Sequence, residues 1–226
     1  MKKNNNIKTH FILLELVVYI GLPYMIWTYG RDTIGDYYAM LVSTLPAIVY
    51  TIYRFLKDRQ FNMVGVFIIV SLTLSSILDL LAGSAIQMLW NSVWLSYAFT
   101  AIFIVSMIIQ KPLAIYLAVE FMYLQGYPKE NSKKLYFMKG NVKWFQFVTA
   151  IFVVRGLMMN SIMVWLIMNH GADAFMHLII VRKALGFAFS VLLFAGFTYA
   201  GHKTSQLVNA QEKEETKPDY VVEAPE

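Results

Sequence analysis

The stretch that decides the fold is Trp144–Met168, WFQFVTAIFVVRGLMMNSIMVWLIM, an apolar run carrying a single charge, Arg155. At 1.5 Å of rise per residue a helix of this run exceeds a hydrocarbon core of about 30 Å. Outward from it the pattern recurs at Phe11–Tyr29, Tyr37–Tyr53, Phe61–Leu81, Asn91–Ile109 and Ala174–Ala200. The runs are continuous, whereas a membrane β-barrel would alternate strictly in shorter segments. A helix satisfies its own backbone groups in lipid. The spacing predicts an all-α polytopic membrane bundle of about six transmembrane helices.

Composition agrees. The chain is 58% hydrophobic and 15% charged, with a mean hydropathy of +0.53, against roughly 25% charged residues in soluble domains. Six crossings leave no length for a separate soluble domain, so residues 1–202 read as one membrane domain. Residues 203–226 carry 3 Lys/Arg against 6 Asp/Glu and lack an apolar period, which predicts a disordered acidic cytoplasmic tail. No cysteine is present, which removes disulfides, thiolate catalysis and Cys-based metal sites.

Charge in the breaks sets a direction. Lys2, Lys3, Lys8, Arg54, Lys57, Arg59, Lys111, Lys129, Lys133, Lys134, Lys139, Lys143 and Lys203 fall on one side of the alternation; only Arg31 falls on the other. The excess of Lys and Arg marks the cytoplasmic side, so both termini are expected there. The same asymmetry explains the net charge of +5 without nucleic acid. The basic stretch 127–143 is expected to attract anionic lipid headgroups. Just before it, KPLAIYLAVEFMYLQG (residues 111–126) has Pro112 placed for a first helical turn. It predicts one further helix, interfacial or packed under the bundle.

Candidate functional residues are those that break the apolar pattern, because lipid makes them costly. Ser71, Ser75, Asp79 and Gly83 recur every four residues, as do Ser92, Ser96 and Thr100. Each set shares a helix face. Two readings fit: interhelical packing of small polar residues, which is common in membrane bundles, or the lining of a wet cavity. Arg155 lies about 16 Å into its span, near the midplane. Arg182 and Lys183 lie about one-third of the way into the sixth run from the outer face and Asp79 near the outer end of the third, so Arg182 could extend outward and meet Asp79. Asp79, Arg155, Arg182, Ser71 and Ser75 form the candidate polar or ion-pair site; its bland reading is a structural pair with snorkelling side chains. His170, Asp173 and His177 have a spacing that could share a metal, yet Asp173 equally suits a helix N-cap, and no metal site is assigned. Pro23 and Pro46 are expected to kink their helices. Met158, Met159, Met163 and Met168 read as soft packing residues.

The chain has no HExxH helix, no GxxxxGK[ST] loop and no GxSxG elbow, and no paired intramembrane carboxylates. No enzyme activity and no cofactor are expected.

Pro23-Tyr24, STLPAIVYTIYR (Ser43–Arg54), Gly65, the LLAG turn ending at Gly83 and IVSMIIQKPLAIYLA (Ile104–Ala118) together resemble bacterial membrane proteins related to intracellular septation protein A. The resemblance covers about residues 12–122; the long basic loop and the sixth span place the chain nearer a larger branch. It implies a bacterial inner-membrane protein linked to division or envelope synthesis and supplies no catalytic residues. The leading expectation is a non-enzymatic protein acting through envelope or division partners. The alternative is a small-solute or ion transporter or channel using a polar cavity near Asp79, Arg155 and Arg182.

Overall fold

The computed structural model describes residues 14–57, 63–138 and 140–215. Lys2, Lys3, Lys8, Arg59, Lys139 and the tail beyond Glu215 lie outside the described residues. Among the described residues the regular structure is all helical. A π-helical turn, Val17–Gly21, leads into α1 (Leu22–Lys57), followed by α2 (Met63–Leu80), α3 (Ala85–Ile108), α4 (Leu113–Leu124), α5 (Lys129–Tyr136), α6 (Val142–His170) and α7 (Ala174–Glu215). Three continuous stretches, Leu14–Lys57, Ala85–Ile108 and Val142–Ala210, are long and apolar enough to cross a membrane; Val64–Leu80 and Leu113–Leu124 are shorter apolar helices. The described residues thus form an all-helical protein with three stretches long and apolar enough to cross a membrane.

The first and third stretches are each interrupted. Gly35 has φ 80° and ψ 159° inside α1, a region essentially reserved for glycine. The chain reverses there: Tyr19 stacks edge-on against Tyr50 with centroids 5.6 Å apart, and Glu15 pairs with Arg54. Between α6 and α7 the turn Gly171–Asp173 reverses the chain again, and Gly83, at φ 70°, lies between α2 and α3. The two breaks agree with the apolar runs expected on either side of them.

Contacts divide the chain into two compact units. One comprises Met1–Ile102 with Val153–Phe189; the other comprises Phe103–Phe152 with Ser190–Glu226.

In the first unit the three reversals meet at one end. Arg31 bonds Asp36 at 3.1 Å and also pairs with Asp173, and the Tyr37 hydroxyl donates to the Leu80 carbonyl at 3.0 Å. Asn91 donates to the Leu78 carbonyl at 2.9 Å. Tyr37 and Asn91 thereby satisfy carbonyls that the end of α2 leaves without helical partners. The core beneath contains Trp27, Met40, Leu89, Val93, Met163 and Leu178. At Gly156 the helices approach so closely that a Cβ there would overlap the Thr100 side chain. Thr100 therefore serves close helix packing, the commoner of the two readings, at its position in the stripe. At Pro23 the ring would meet the carbonyl of Tyr19, four residues back. The wider π turn covers that position, closing with the Leu22 N–H on the Val17 carbonyl. α1 keeps helical backbone angles through Pro46.

The second unit is built on α4. Ala114, Ile115, Ala118 and Val119 are buried against Phe145, Val148 and Ala200. One face of this helix is thus packed inside the unit, while Phe121, Tyr123 and Leu124 stay exposed. Gln110 at φ 57° ends α3, with Lys111 N–H bonding Ser106 O and Gln110 N–H bonding Met107 O, a Schellman arrangement. Pro112 then precedes α4. The basic stretch expected as a loop contains α5. α7 runs on to Glu215, so residues 203–215 are helical where composition predicts disorder. This segment consists largely of good helix formers, and Lys203 and His202 pair with Gln206 at helical spacings.

Candidate functional site: a charged cavity in the first unit

A cavity of about 310 Å³ lies in the first unit, walled by both legs of the first hairpin, α2, α3 and α7. Met40 to Thr51 on one wall corresponds to roughly 16 Å of helix, so the space is elongated along the helices. Its apolar lining includes Met40, Leu72, Met88, Leu89 and Leu178. Its charged lining is Asp79, Arg182 and Lys183.

The helical repeat explains why these side chains converge. Ser75 and Asp79 lie one turn apart on α2, and the Ser75 hydroxyl is beside the Asp79 carboxylate, which also feels the charge of Arg182. Arg182 lies two turns into α7, almost opposite Met163, whose thioether accepts from Nη2 at 3.6 Å. Among the described residues no contact within 4 Å joins Asp79 to Arg182. Lys183 Nζ sits 4.3 Å from the centroid of the Tyr19 ring, a cation–π contact.

The hydroxyls of the wall are largely committed. Ser43, Thr44, Thr51 and Ser76 donate to the carbonyls of Met40, Leu41, Ala47 and Leu72 at 2.7 to 2.9 Å. Tyr19 and Thr51 hydroxyls lie 2.9 Å apart. Because Thr51 gives its proton to Ala47, Tyr19 is the donor of that pair. The wall therefore offers hydroxyl lone pairs more than hydroxyl protons.

Of the site residues expected from sequence, Asp79, Arg182 and Ser75 line this cavity together. Ser71 lies one turn from Ser75; its hydroxyl is buried with no partner among the described residues, and it is not part of the lining. Arg155 does not join them. It is exposed on α6, among exposed Val154, Leu157 and Met158. Gly156 next to it faces Thr100, about 100° around the helix, and Arg155 itself is on the exposed face. Lys183, a charge noted inside the sixth apolar run but outside the expected site, also lines the cavity, as does Tyr19, which was not singled out by sequence although its hydroxyl interrupts an apolar run. Asn160 was also missed. It is fully buried with neither amide atom bonded among the described residues. His170 and His177 stack at 4.7 Å, and no group of three metal-ligating side chains occurs among the described residues.

The chain matches no family model, no curated protein and no solved structure.

Proposed function

We propose that this chain crosses a bacterial inner membrane six times and binds a small polar solute in the Asp79–Arg182 cavity, as a carrier or channel would. The observation that carries this reading is a cavity lined by two opposite charges that leave a gap between them. A structural ion pair would have closed that gap, since two charges in a poorly solvated site attract strongly at contact. Six crossings follow if each reversal, at Gly35, Gly83 and Gly171, separates two membrane passes. The three turns then share one face, the one with the single basic residue Arg31. The basic breaks share the other face with both termini, as the charge rule requires.

Counterflow in proteoliposomes tests the reading. The purified chain is expected to move at least one solute from a panel of amino acids, organic acids, amines and inorganic ions. Asp79→Asn and Arg182→Gln should each abolish that movement while leaving the chain folded. No flux with any class would refute transport. A reporter fused after Lys203 should be active only on the cytoplasmic face.

The alternative, an envelope or division protein working through partners, is supported by the resemblance to septation-protein-A relatives and by α5. That helix presents Lys129, Lys133 and Lys134 with Ser132 and Tyr136 buried. In-cell crosslinking from Lys133 that captured a division or envelope protein would favour it.

A further inference from the structure

We infer that the cavity takes a zwitterion, its ammonium group at Asp79 and its oxyanion at Arg182. The inference rests on the cavity reading above and names the ligand chemistry.

Two complementary deficits carry it. Arg182 has five N–H donors in a planar fork that suits carboxylate or phosphate. Its hydrogen-bond partner among the described residues is the Met163 thioether, a weak acceptor. Lys183 is engaged with the Tyr19 ring, so Arg182 is the cation of the lining left to meet an oxyanion. The opposite deficit lies on α1 and α2. Ser43, Thr44, Thr51 and Ser76 have spent their protons on backbone carbonyls and offer lone pairs, and Asp79 adds a carboxylate. Such a wall is short of donors, and an ammonium supplies three.

A ligand with one charge answers only one deficit. A simple anion would leave Asp79 facing it, and a simple cation would leave Arg182 facing it; like charges brought together without water are costly. A ligand bearing both charges satisfies both and separates Asp79 from Arg182 as they are separated here. The volume of about 310 Å³ is at the lower end for small-molecule sites, which suits a molecule of amino-acid size. Met40, Met88 and Leu89 provide room for an apolar substituent. The same head chemistry occurs in free amino acids and in the phosphoethanolamine head of a phospholipid.

The test uses the full chain purified in detergent. The probes are the α-amino acids and O-phosphoethanolamine, each beside its single-charge analogues: the deaminated acid and the decarboxylated or dephosphorylated amine. At least one zwitterion should raise the melting temperature saturably, with each analogue binding at least about tenfold more weakly. Asp79→Asn should remove the discrimination against the acid, and Asp79→Glu should restore it. If Asp79→Asn does not fold, Arg182→Lys, which keeps the charge and loses the fork, should weaken oxyanion binding about tenfold. Native mass spectrometry separates the sources: an ethanolamine phospholipid retained by the wild type and lost in Asp79→Asn assigns the lipid, and saturation by a free amino acid assigns the solute. A single-charge analogue that binds as tightly as its zwitterion overturns the inference.

Water access separates this failure from failure of the cavity reading. The chain has no cysteine, so Ser76→Cys offers one thiol for a charged, water-soluble methanethiosulfonate. Labelling without zwitterion binding overturns the zwitterion and leaves a wet cavity. Absence of labelling under conditions that label an exposed Asn131→Cys control on the polar helix α5 removes both.

Discussion

Away from the turns, where Arg31 pairs with Asp36 and Asp173 and Tyr37 and Asn91 meet carbonyls, the two units use polar residues in different ways. In the second, polar side chains close on one another or on the backbone. Glu120, almost fully buried, pairs with Lys129 at 2.8 Å, and Thr149 accepts from the Ala114 N–H at 3.3 Å. Gln146 donates to Gln110 at 2.7 Å. In the first, Asp79 and Arg182 share a cavity without touching, and Ser71 keeps an unused hydroxyl. Satisfied polar groups hold helices together; groups left unsatisfied beside a cavity are available to a ligand. The same residue types thus act as glue in one unit and as a site in the other.

If that contrast is right, the largest stability loss comes from the second unit. Lys129→Met removes the ammonium that lies 2.8 Å from the buried Glu120 carboxylate. Breaking a buried pair from one side costs about 3–5 kcal/mol. Because half of Lys129 is exposed, the expected loss is nearer 2–3 kcal/mol. Glu120→Gln together with Lys129→Met should recover most of it. Thermal or denaturant unfolding in a fixed detergent measures both. A loss below about 0.5 kcal/mol, the scale of ordinary surface changes, would break the description of this unit as polar glue.

Close packing in the first unit comes next. A Cβ at Gly156 overlaps Thr100, with the Thr100 Cγ2 and Cβ at 3.0 and 3.2 Å. Gly156→Ala should cost about 1–3 kcal/mol through overpacking, and Thr100→Ala in the same chain should relieve most of the strain by removing both the Oγ1, the nearest atom to that Cβ, and the Cγ2. Gly201→Ala is the control. No atom lies within 4 Å of a Cβ there, so the helix should gain up to about 1 kcal/mol from the change in propensity.

These contacts mark how far the sequence could be read. The apolar runs and their breaks were legible because lipid imposes one length scale on every run, and the reversals at Gly35 and Gly171 fall where charge and glycine interrupt hydropathy. Asp79 and Arg182 were legible as costly residues. What they line was not, because spacing within a helix says which face a residue shares and nothing about the face opposite. Ser92 and Thr100 belong to one stripe, yet Ser92 lines the cavity and Thr100 packs on Gly156. Tyr19 and Lys183 meet across helices distant in sequence, a pairing no local period encodes. The helical segment 203–215 was missed for a different reason: disorder was inferred from charge and the absence of apolar period, while helix propensity and continuation from an existing helix decide whether such a segment folds.

A smaller effect is expected at the cavity itself. Asp79→Asn keeps size and shape and removes a charge that has no direct ionic partner among the described residues. Its cost to stability should stay below about 1 kcal/mol, within the range of exposed pairs, while solute binding is lost. A loss comparable to that of Lys129→Met would make Asp79 part of the glue and erase the distinction between the units.

The smallest effect belongs to Arg155. Its side chain is exposed amid an apolar surface that includes Val154 at 55% and Leu157 at 44%, and it is absent from the cavity lining. No carboxylate lies within 4 Å of it among the described residues, so replacement leaves no partner stranded. Arg155→Gln should therefore change unfolding stability by less than about 0.5 kcal/mol and leave the affinity of any cavity ligand unaltered. Membrane insertion should respond instead, because an arginine at the centre of a crossing costs about 2.5–3.5 kcal/mol on insertion scales. A glycosylation-mapped insertion assay of the isolated Trp144–Met168 segment should show Arg155→Leu inserting more completely than wild type. If Arg155→Gln instead lowers ligand affinity as Arg182→Gln does, the outer face of α6 and the cavity are coupled, and the division between a site that binds and a surface that does not falls with it.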